Sequence, residues 1–504
     1  MASLLKELAK KEAAVAGDFI KFIRGCPSQF HAVEQAKKLL KDGGFVQISE
    51  RESSDWSWSP KSLQPNGKYF FTRNQSTLVA FAVGGKYKTG AGFNIAAAHT
   101  DSPVLKVKPV SNTVKSGYVQ VGVETYGGGL FHTWFDRDLS IAGRVIVKDG
   151  SNFTSKLVCI DKPILRIPNL AIHLDREVSE KGFNPNRENH LLPILCSSIK
   201  YELNQAQAAA ASSSEDDSAP APVKKQKVTQ DGPKDAPKAP EEHPSVLMKL
   251  LADELKVNEG DIRDFELCLY DTQPATIGGP MNEFIIARGL DNLMMCYVTL
   301  RALLESCESK SLASEEQIRM IALFDNEEVG SQSCMGAASS LLNQVMQRLN
   351  ADTTSFDTAI RKSFLMSCDM AHGLHPNYSE KHESNHRPML HKGLVIKQNA
   401  NQRYASNSVS IFLLSEIAKK YSLPVQKFVV RNDSACGSTI GPILSANAGL
   451  RTVDVGIPQW SMHSIRETCG TADVASSIEI VKRVFEDFST LDKSLAAGDA
   501  ASEK

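Results

Sequence analysis

The chain has 504 residues, 42% hydrophobic and 23% charged, with 57 Lys and Arg against 58 Asp and Glu, an ordinary globular composition with room for two to four domains at roughly 100–200 residues each. Balanced charge excludes a dedicated nucleic-acid or anionic-membrane binder, which needs a basic excess, and no apolar run reaches the roughly 18–20 residues of a membrane span. The charge of a small substrate stays open, because one basic pocket barely moves the total.

In chain order, the N-terminus mixes Lys and Glu through an apolar pattern of Leu4, Leu5, Leu8, Phe19, Ile20 and Phe22. That predicts an amphipathic helix; a signal peptide needs an unbroken apolar core and a transit peptide avoids acids. A short apolar strand follows at Ile95–Ala98. From about 105 to 200 the texture becomes alternating and β-branched, at Tyr118–Glu124, Ile141–Val147 and Lys156–Ile160, which predicts a separate β-rich unit inserted in the chain. Residues 204–243 collapse into Ala, Ser, Pro, Lys, Asp and Gln with no aromatic. Such a segment cannot bury enough apolar surface to offset its ordering entropy, so disorder is expected. Its cluster Lys224-Lys225-Gln226-Lys227 reads as a solvated linker, with a targeting signal as the alternative.

Beyond the linker, helices are predicted at Asn292–Glu305, Gly336–Leu349, Ser408–Tyr421 and Ala472–Phe488. They alternate with strands at Ile318–Phe324, Phe364–Cys368, Phe428–Arg431 and Thr452–Val455. This is the pattern of an α/β fold. The expected domains are a catalytic part at 1–104, a β-rich insertion at 105–275, and the rest of the catalytic domain at 276–504. The 10 cysteines form no C-x-x-C pair and several lie in apolar runs, as reduced thiols of a cytoplasmic protein do.

Chemistry concentrates where apolar runs end. His99 closes NIAAAHTDSP, and Asp101, two residues on along an extended chain, shares its face and can hold the second imidazole nitrogen. Asp291, in ARGLDNLMMCYV, opens an apolar helix; a plain helix N-cap is the alternative. Asp325, Glu327 and Glu328 end the apolar run of IRMIALFDNEEVGSQS, where three acids in four residues repel one another unless a cation is near. Asp369 follows the strand in SFLMSCDMAHGLHPNY, and His463 lies in the loop of TVDVGIPQWSMHSIRE. Ligand sites of open α/β sheets lie at the carboxyl ends of strands. Imidazoles with carboxylates and no thiolate suit a catalytic metal site over a structural one. Three carboxylates offset most of the charge of two dications about 3.5–4 Å apart, with one carboxylate bridging.

The blocks AAHTDSP, GLDN, DNEEVGS, SCDMAHGLHPNY, HKGLVIK, QRYASN, NDSACGSTIGP and SMHS, in this order, resemble the aspartyl aminopeptidase family of dinuclear zinc metallopeptidases over nearly the whole chain, the stretch 204–243 excepted. The resemblance implies a three-layer αβα catalytic domain with a mixed central sheet, interrupted by a β-rich dimerisation domain. It implies two Zn²⁺ per subunit, held by His99 and His463 with Asp291 bridging, Glu328 on the first metal and Asp369 on the second. Glu327 would be the general base and Asp101 the orienter of His99. His173, Glu327, Asp369, His372, Lys397 and Tyr404 would surround the bound N-terminal residue, with His372 also facing the oxyanion. The implied substrates are peptides beginning with Asp, then Glu, and the implied assembly is a roughly tetrahedral dodecamer in which His173 serves a neighbouring subunit.

Two other readings compete. A related dinuclear aminopeptidase with neutral substrates would not need Lys397 and Tyr404, whose cation and phenol complement a carboxylate. A non-catalytic scaffold shell would not need the complete ligand set. His132, Asp136 and Asp138 are expected to pack or form an interface in the insertion, not to bind metal. Of the five histidines from His372 to His391, only His372 is expected to act.

Overall fold

The computed structural model describes residues 2–59, 62–204, 242–350 and 352–495. They divide into two compact units. The first comprises Met1–Val104, Tyr126–Thr133 and Gln273–Lys504, and the second Leu105–Thr125 and Trp134–Thr272.

The first unit is built on a mixed sheet of nine strands: β1 (Val46–Gln47), β2 (Lys68–Arg73), β3 (Thr77–Val83), β4 (Phe93–His99), β5 (Ile318–Phe324), β6 (Phe364–Cys368), β7 (Leu394–Lys397), β8 (Val425–Phe428) and β9 (Arg451–Gly456). Their order across the sheet is β1-β2-β3-β5-β4-β6-β9-β7-β8. The central four, β5, β4, β6 and β9, are parallel, and antiparallel pairings join β3 and β7 to them. Every residue of β3, β4, β5 and β6 is buried, which is why these runs read as predominantly apolar.

Alternate strand residues feed two cores. Ala80, Ala82, Ala96, Ala98, Ile321 and Leu323 pack with Met294, Leu300, Leu413, Ile480 and Phe485 of the helices Leu290–Glu308, Ser408–Lys420 and Thr471–Ser494. Val79, Phe81, Ile95, Ala97, Met320 and Ala322 pack on the other face with Leu341, Val345, Ile360 and Leu444 of Leu341–Arg348, Thr353–Arg361 and Ile440–Ala448. The result is the expected three-layer α/β/α arrangement. Each fully buried large side chain contributes about 1.5–3 kcal/mol relative to exposure. The N-terminal helix Ala2–Arg24 forms as predicted, and Phe19 and Phe22 lie against Tyr297; the side chains of Leu4, Leu5 and Leu8 lie outside the described residues.

A smaller five-stranded sheet in the same unit runs in the order Thr276–Gly278, Phe284–Ala287, Glu467–Gly470, Pro458–Trp460, Ala371–His372. The second unit holds a six-stranded sheet of Asn152–Cys159, Leu139–Asp149, Ile262–Asp271, Val104–Lys115, Tyr118–Tyr126 and Ile194–Ser197, in that order.

Three boundaries differ from the pattern reading. Tyr126–Thr133 belongs to the first unit, because Leu130 N donates to His463 O and Thr133 Oγ1 accepts from Ile465 N. His132 therefore lies outside the second unit. There Asp136 accepts from Asn169, Asp138 pairs with Arg166, and Arg137 pairs with Asp271. The strand expected at Phe428–Arg431 is Val425–Phe428 instead: it is an edge strand whose one neighbour, β7, ends at Lys397 opposite Phe428. The helix expected from Gly336 begins at Leu341, because Ser331–Ser339 is tied into turns, with Ser333 Oγ accepting from the Met335 and Gly336 amides. Of the low-complexity segment, 205–241 with its Lys224–Lys227 cluster lies outside the described residues. Its edges are bonded, Glu242 O accepting from the Ser111 and Asn112 amides and His243 Nδ1 pairing with Ser111 Oγ. No described helix is long and apolar enough to cross a membrane.

Candidate active site

The sheet brings four of the chemical segments to one edge. His99, the last residue of β4, pairs with Phe324, the last of β5, so the turn Asp325–Glu328 emerges beside the imidazole. On the other side of β4, β6 delivers Asp369. The chain leaving β9 passes so close that a Cβ on Gly456 would lie 1.7 Å from Asp369 O; only glycine fits. Asp291 lies in the first turn of Leu290–Glu308, its carbonyl accepting from Ser102 Oγ at 2.5 Å. His463 follows Pro458–Trp460 in a left-handed conformation, φ 67°.

The side chains converge. His463 Nε2 is 3.3 Å from Asp291 Oδ2 and 3.4 Å from Glu328 Oε2. His99 Nε2 is 3.5 Å from Asp291 Oδ1, 3.7 Å from Asp369 Oδ1 and 3.9 Å from Glu327 Oε2. Each imidazole is turned by its other nitrogen: His99 Nδ1 faces Asp101 O at 3.1 Å and Asp101 Oδ1 at 3.3 Å, and His463 Nδ1 faces Gly128 O at 3.2 Å. Asp101 also accepts from the Glu327 amide (3.2 Å), the Glu328 amide (3.1 Å) and Tyr126 OH (2.7 Å). The acid turn and the histidine thus share one anchor.

The shorter of these separations, those of His463 to Asp291 and Glu328 and of His99 to Asp291, fit zinc. They exceed the 2.7–2.9 Å of a charged hydrogen bond, but two ligands of one tetrahedral zinc, each about 2.0–2.2 Å from it, stand about 3.3–3.5 Å apart. Asp291 Oδ1 and Glu328 Oε1 are buried and make no hydrogen bond, a costly state unless a cation completes them. The groups His99, Asp291, Glu328 and His99, Glu327, Asp369 each place their ligand atoms within 4.8 Å of one another.

Crowding shows in the acid–base balance. Burial pushes the Glu327 carboxyl up to about 8, His99 opposing and Asp369, Asp101 and Asp291 adding to the rise. Burial and then the Asp291 charge push Glu328 well up. Burial favours a neutral His99, yet Glu327, Asp101, Asp291 and Asp369 outweigh it and hold its pKa well above the usual value. For Asp291, burial is overcome by His463 and His99, and the carboxyl is held well below the usual range. Acids whose environments push them this far apart mark catalytic sites.

Beside the cluster lies a cavity of about 290 Å³, with Asp291, Glu327, Asp369, His372, Lys397, Tyr404, Thr439 and His463 in its walls. Lys397 is 3% exposed; its Nζ donates to Met370 O at 2.9 Å, stands 3.7 Å from Asp369 Oδ2, and lies 5.3 Å from the Tyr404 ring centroid. His372 is kept neutral, its pKa lowered to about 4 by burial and by Lys397. Of the sequence-derived site residues, His173 alone lies in the second unit, exposed on a turn. The other histidines up to His391 sit in a bonded loop: His382 Nε2 accepts from the His375 amide, His386 pairs with Glu383, and His391 lies near the Phe284 ring.

Pattern reading missed three residues. Tyr126 supports Asp101 and takes a hydrogen bond from Asn326. Asp454 is paired across the strands with Lys397 and accepts from Thr439 Oγ1 (2.5 Å) and the Ala405 amide (2.6 Å). Glu467, 1% exposed, accepts from the Asp291 and His463 amides. An acid within an apolar strand was the one available signal, for Asp454 and Glu467; Tyr126 has none, because its partners lie far off in sequence.

An open α/β sheet with an imidazole–carboxylate cluster at its strand ends, beside a polar cavity, defines the class of metal-dependent hydrolases. Residues 22–485 match the family model "Aminopeptidase I zinc metalloprotease (M18)", and the chain belongs to that family of zinc exopeptidases. It is 52% identical over 489 residues to the aspartyl aminopeptidase of Dictyostelium discoideum, covering 95% of this chain and 97% of that one. A cryo-EM structure of the Ape4 and Nbr1 complex matches with TM-score 0.87 and 41% identity, covering 98% of this chain and 89% of that one. The S. cerevisiae mApe1 dodecamer matches with TM-score 0.77 and 27% identity, covering 95% and 98%.

Proposed function

We propose that this enzyme removes acidic residues, aspartate before glutamate, from peptide N-termini, using two zinc ions per subunit. The observation that carries the substrate reading is the buried Lys397 ammonium in the wall of the cavity beside the metal-ligand cluster; the aspartyl aminopeptidase name of the Dictyostelium relative supports it. The distances favour one trio of His463, Asp291 Oδ2 and Glu328, and another of His99, Asp291 Oδ1 and Asp369, as the residues that would hold the two ions. Zinc bound there supplies Lewis acidity and water of near-neutral pKa.

The chain's own groups do the rest. Glu327 faces the cavity without being needed for either trio, so it takes the proton of the attacking water and hands it to the leaving amine. Asp101 fixes both Glu327's amide and the His99 ring. Neutral His372 keeps a ring N–H to donate to the oxyanion. Lys397, backed by Tyr404, receives the side-chain carboxylate of the first residue, and an apolar residue would leave that ammonium unpaired.

His173 stands on an exposed turn between exposed Leu170, Ile172 and Leu174. Such an apolar patch suits a contact between copies, so we assign His173 to the cavity of a neighbouring subunit and the assembly to a tetrahedral dodecamer. The mApe1 dodecamer supports that assembly. All ten cysteines are free, which suits the reducing cytoplasm. The test is a panel of aspartyl, glutamyl and leucyl substrates before and after chelation. Preference for the acidic pair, lost on chelation and restored by zinc, is the expected result; equal cleavage of the leucyl substrate would overturn the specificity.

A further inference from the structure

Asp291 and His463 reach the cluster from elements 172 residues apart in sequence, and the same buried carboxylate holds both. Glu467 Oε2 accepts from the Asp291 amide at 3.0 Å and Oε1 accepts from the His463 amide at 2.8 Å, with Gln459 Nε2 at 3.4 Å from Oε1. Glu467 opens the strand Glu467–Gly470, where it pairs with Ala287, four residues before Asp291. The helix Leu290–Glu308 has no side-chain cap on its N-cap residue, Gly289. Asp291 and Asn292 depart from helical φ/ψ at this end, so the buried Asp291 amide has no intrahelical acceptor and needs one from elsewhere in the chain.

We propose that Glu467 is a positioning residue of the metal centre, fixing the backbones of Asp291 and His463 so that their side chains meet at one ion. The proposal rests on the reading of those two residues as zinc ligands. It makes Glu467 the counterpart of Asp101, which holds the Glu327 and Glu328 amides in the same way. Between them, two carboxylates anchor three segments that the sequence scatters, at Asp291, His463 and Glu327–Glu328, and both act through main-chain N–H groups. Neither oxygen of Glu467 is spare. An amide in its place keeps the volume but has one acceptor atom where two are used.

The test is zinc affinity of the full chain, measured by competition with a chromophoric chelator. The proteins are wild type, His463→Ala, Glu467→Gln and Phe488→Leu, the last a packing loss against Phe364 at the opposite end of β6. Glu467→Gln is expected to weaken zinc binding about 10–100-fold, the usual effect of removing a group that orients ligands. Phe488→Leu is expected to lower Tm without changing the affinity, which separates positioning from general stability. Unchanged affinity in Glu467→Gln, with zinc lost from His463→Ala, overturns the proposal and leaves the ligand reading standing. Unchanged affinity in both variants overturns the two together. If Glu467→Gln does not fold, Glu467→Asp, which keeps the charge but falls a methylene short, is read by the same criterion.

Discussion

At one wall of the cavity stands Asp291, whose Oδ1, like the Oε1 of nearby Glu328, is buried without a hydrogen bond; at the other stands Lys397, in register with Asp454 on the paired strand, and both find partners in the protein. The first wall is unfinished as protein. Its carboxylates and imidazoles stand at the spacing of shared ligands, and a cation alone can satisfy them together. The second wall is held by protein groups yet keeps donors for a substrate: Met370 O takes one of the three of the Lys397 ammonium, and Thr439 and the Ala405 amide hold Asp454 behind it. Chemistry and selectivity should therefore respond to different perturbations.

Removing the metal should have the largest effect. A strong chelator should abolish peptidase activity towards every substrate and lower Tm, with zinc restoring both, since a ligand at 100 times its Kd adds about 2.7 kcal/mol to stability. Activity surviving in metal-free protein would mean that the first wall needs no cation. Glu327→Gln comes next: kcat should fall about 10²–10⁴-fold, the usual share of a general base, while zinc content by atomic absorption stays at the wild-type value. Near-normal turnover would remove Glu327 from the reaction.

Lys397→Met acts on the other wall. The ratio of kcat/KM for aspartyl over leucyl substrates should drop about 10–100-fold, the worth of a charged hydrogen bond, with zinc content unchanged. A uniform loss on both substrates would mean that Lys397 serves the metal side through Asp369. The smallest effect is expected from Thr439→Val, which deletes the hydroxyl donated to Asp454. Losing one such bond costs about 0.5–1.5 kcal/mol, so the same selectivity ratio should fall about 2–10-fold. An altered zinc affinity there would show the two walls to be coupled.

Much of this molecule was legible in its residue order, because the signals were local. Ile318–Phe324 and Phe364–Cys368 are strands with the predicted limits, buried on both faces and therefore apolar but for Arg319 and Ser367. The candidate ligands stood out because His99, Glu327, Glu328 and Asp369 each end such a run. The Phe428 strand was misplaced because an edge strand stops where its neighbour stops, a fact of pairing that side-chain pattern does not record. The return of Tyr126–Thr133 to the first unit rests on hydrogen bonds to residues more than 300 positions away.

Residue order by itself determined the alternation of strands and helices, the kinds of ligand atoms, and the family those motifs mark. Each follows from the chemistry of a few consecutive side chains. Tertiary structure alone decided which imidazole stands beside which carboxylate, that Asp454 lies opposite Lys397, and that Glu467 holds Asp291 and His463 by their amides. The strand register and the Glu467 contacts run through backbone groups that every residue possesses, and the imidazole–carboxylate pairs join segments far apart in sequence, so residue order does not announce them.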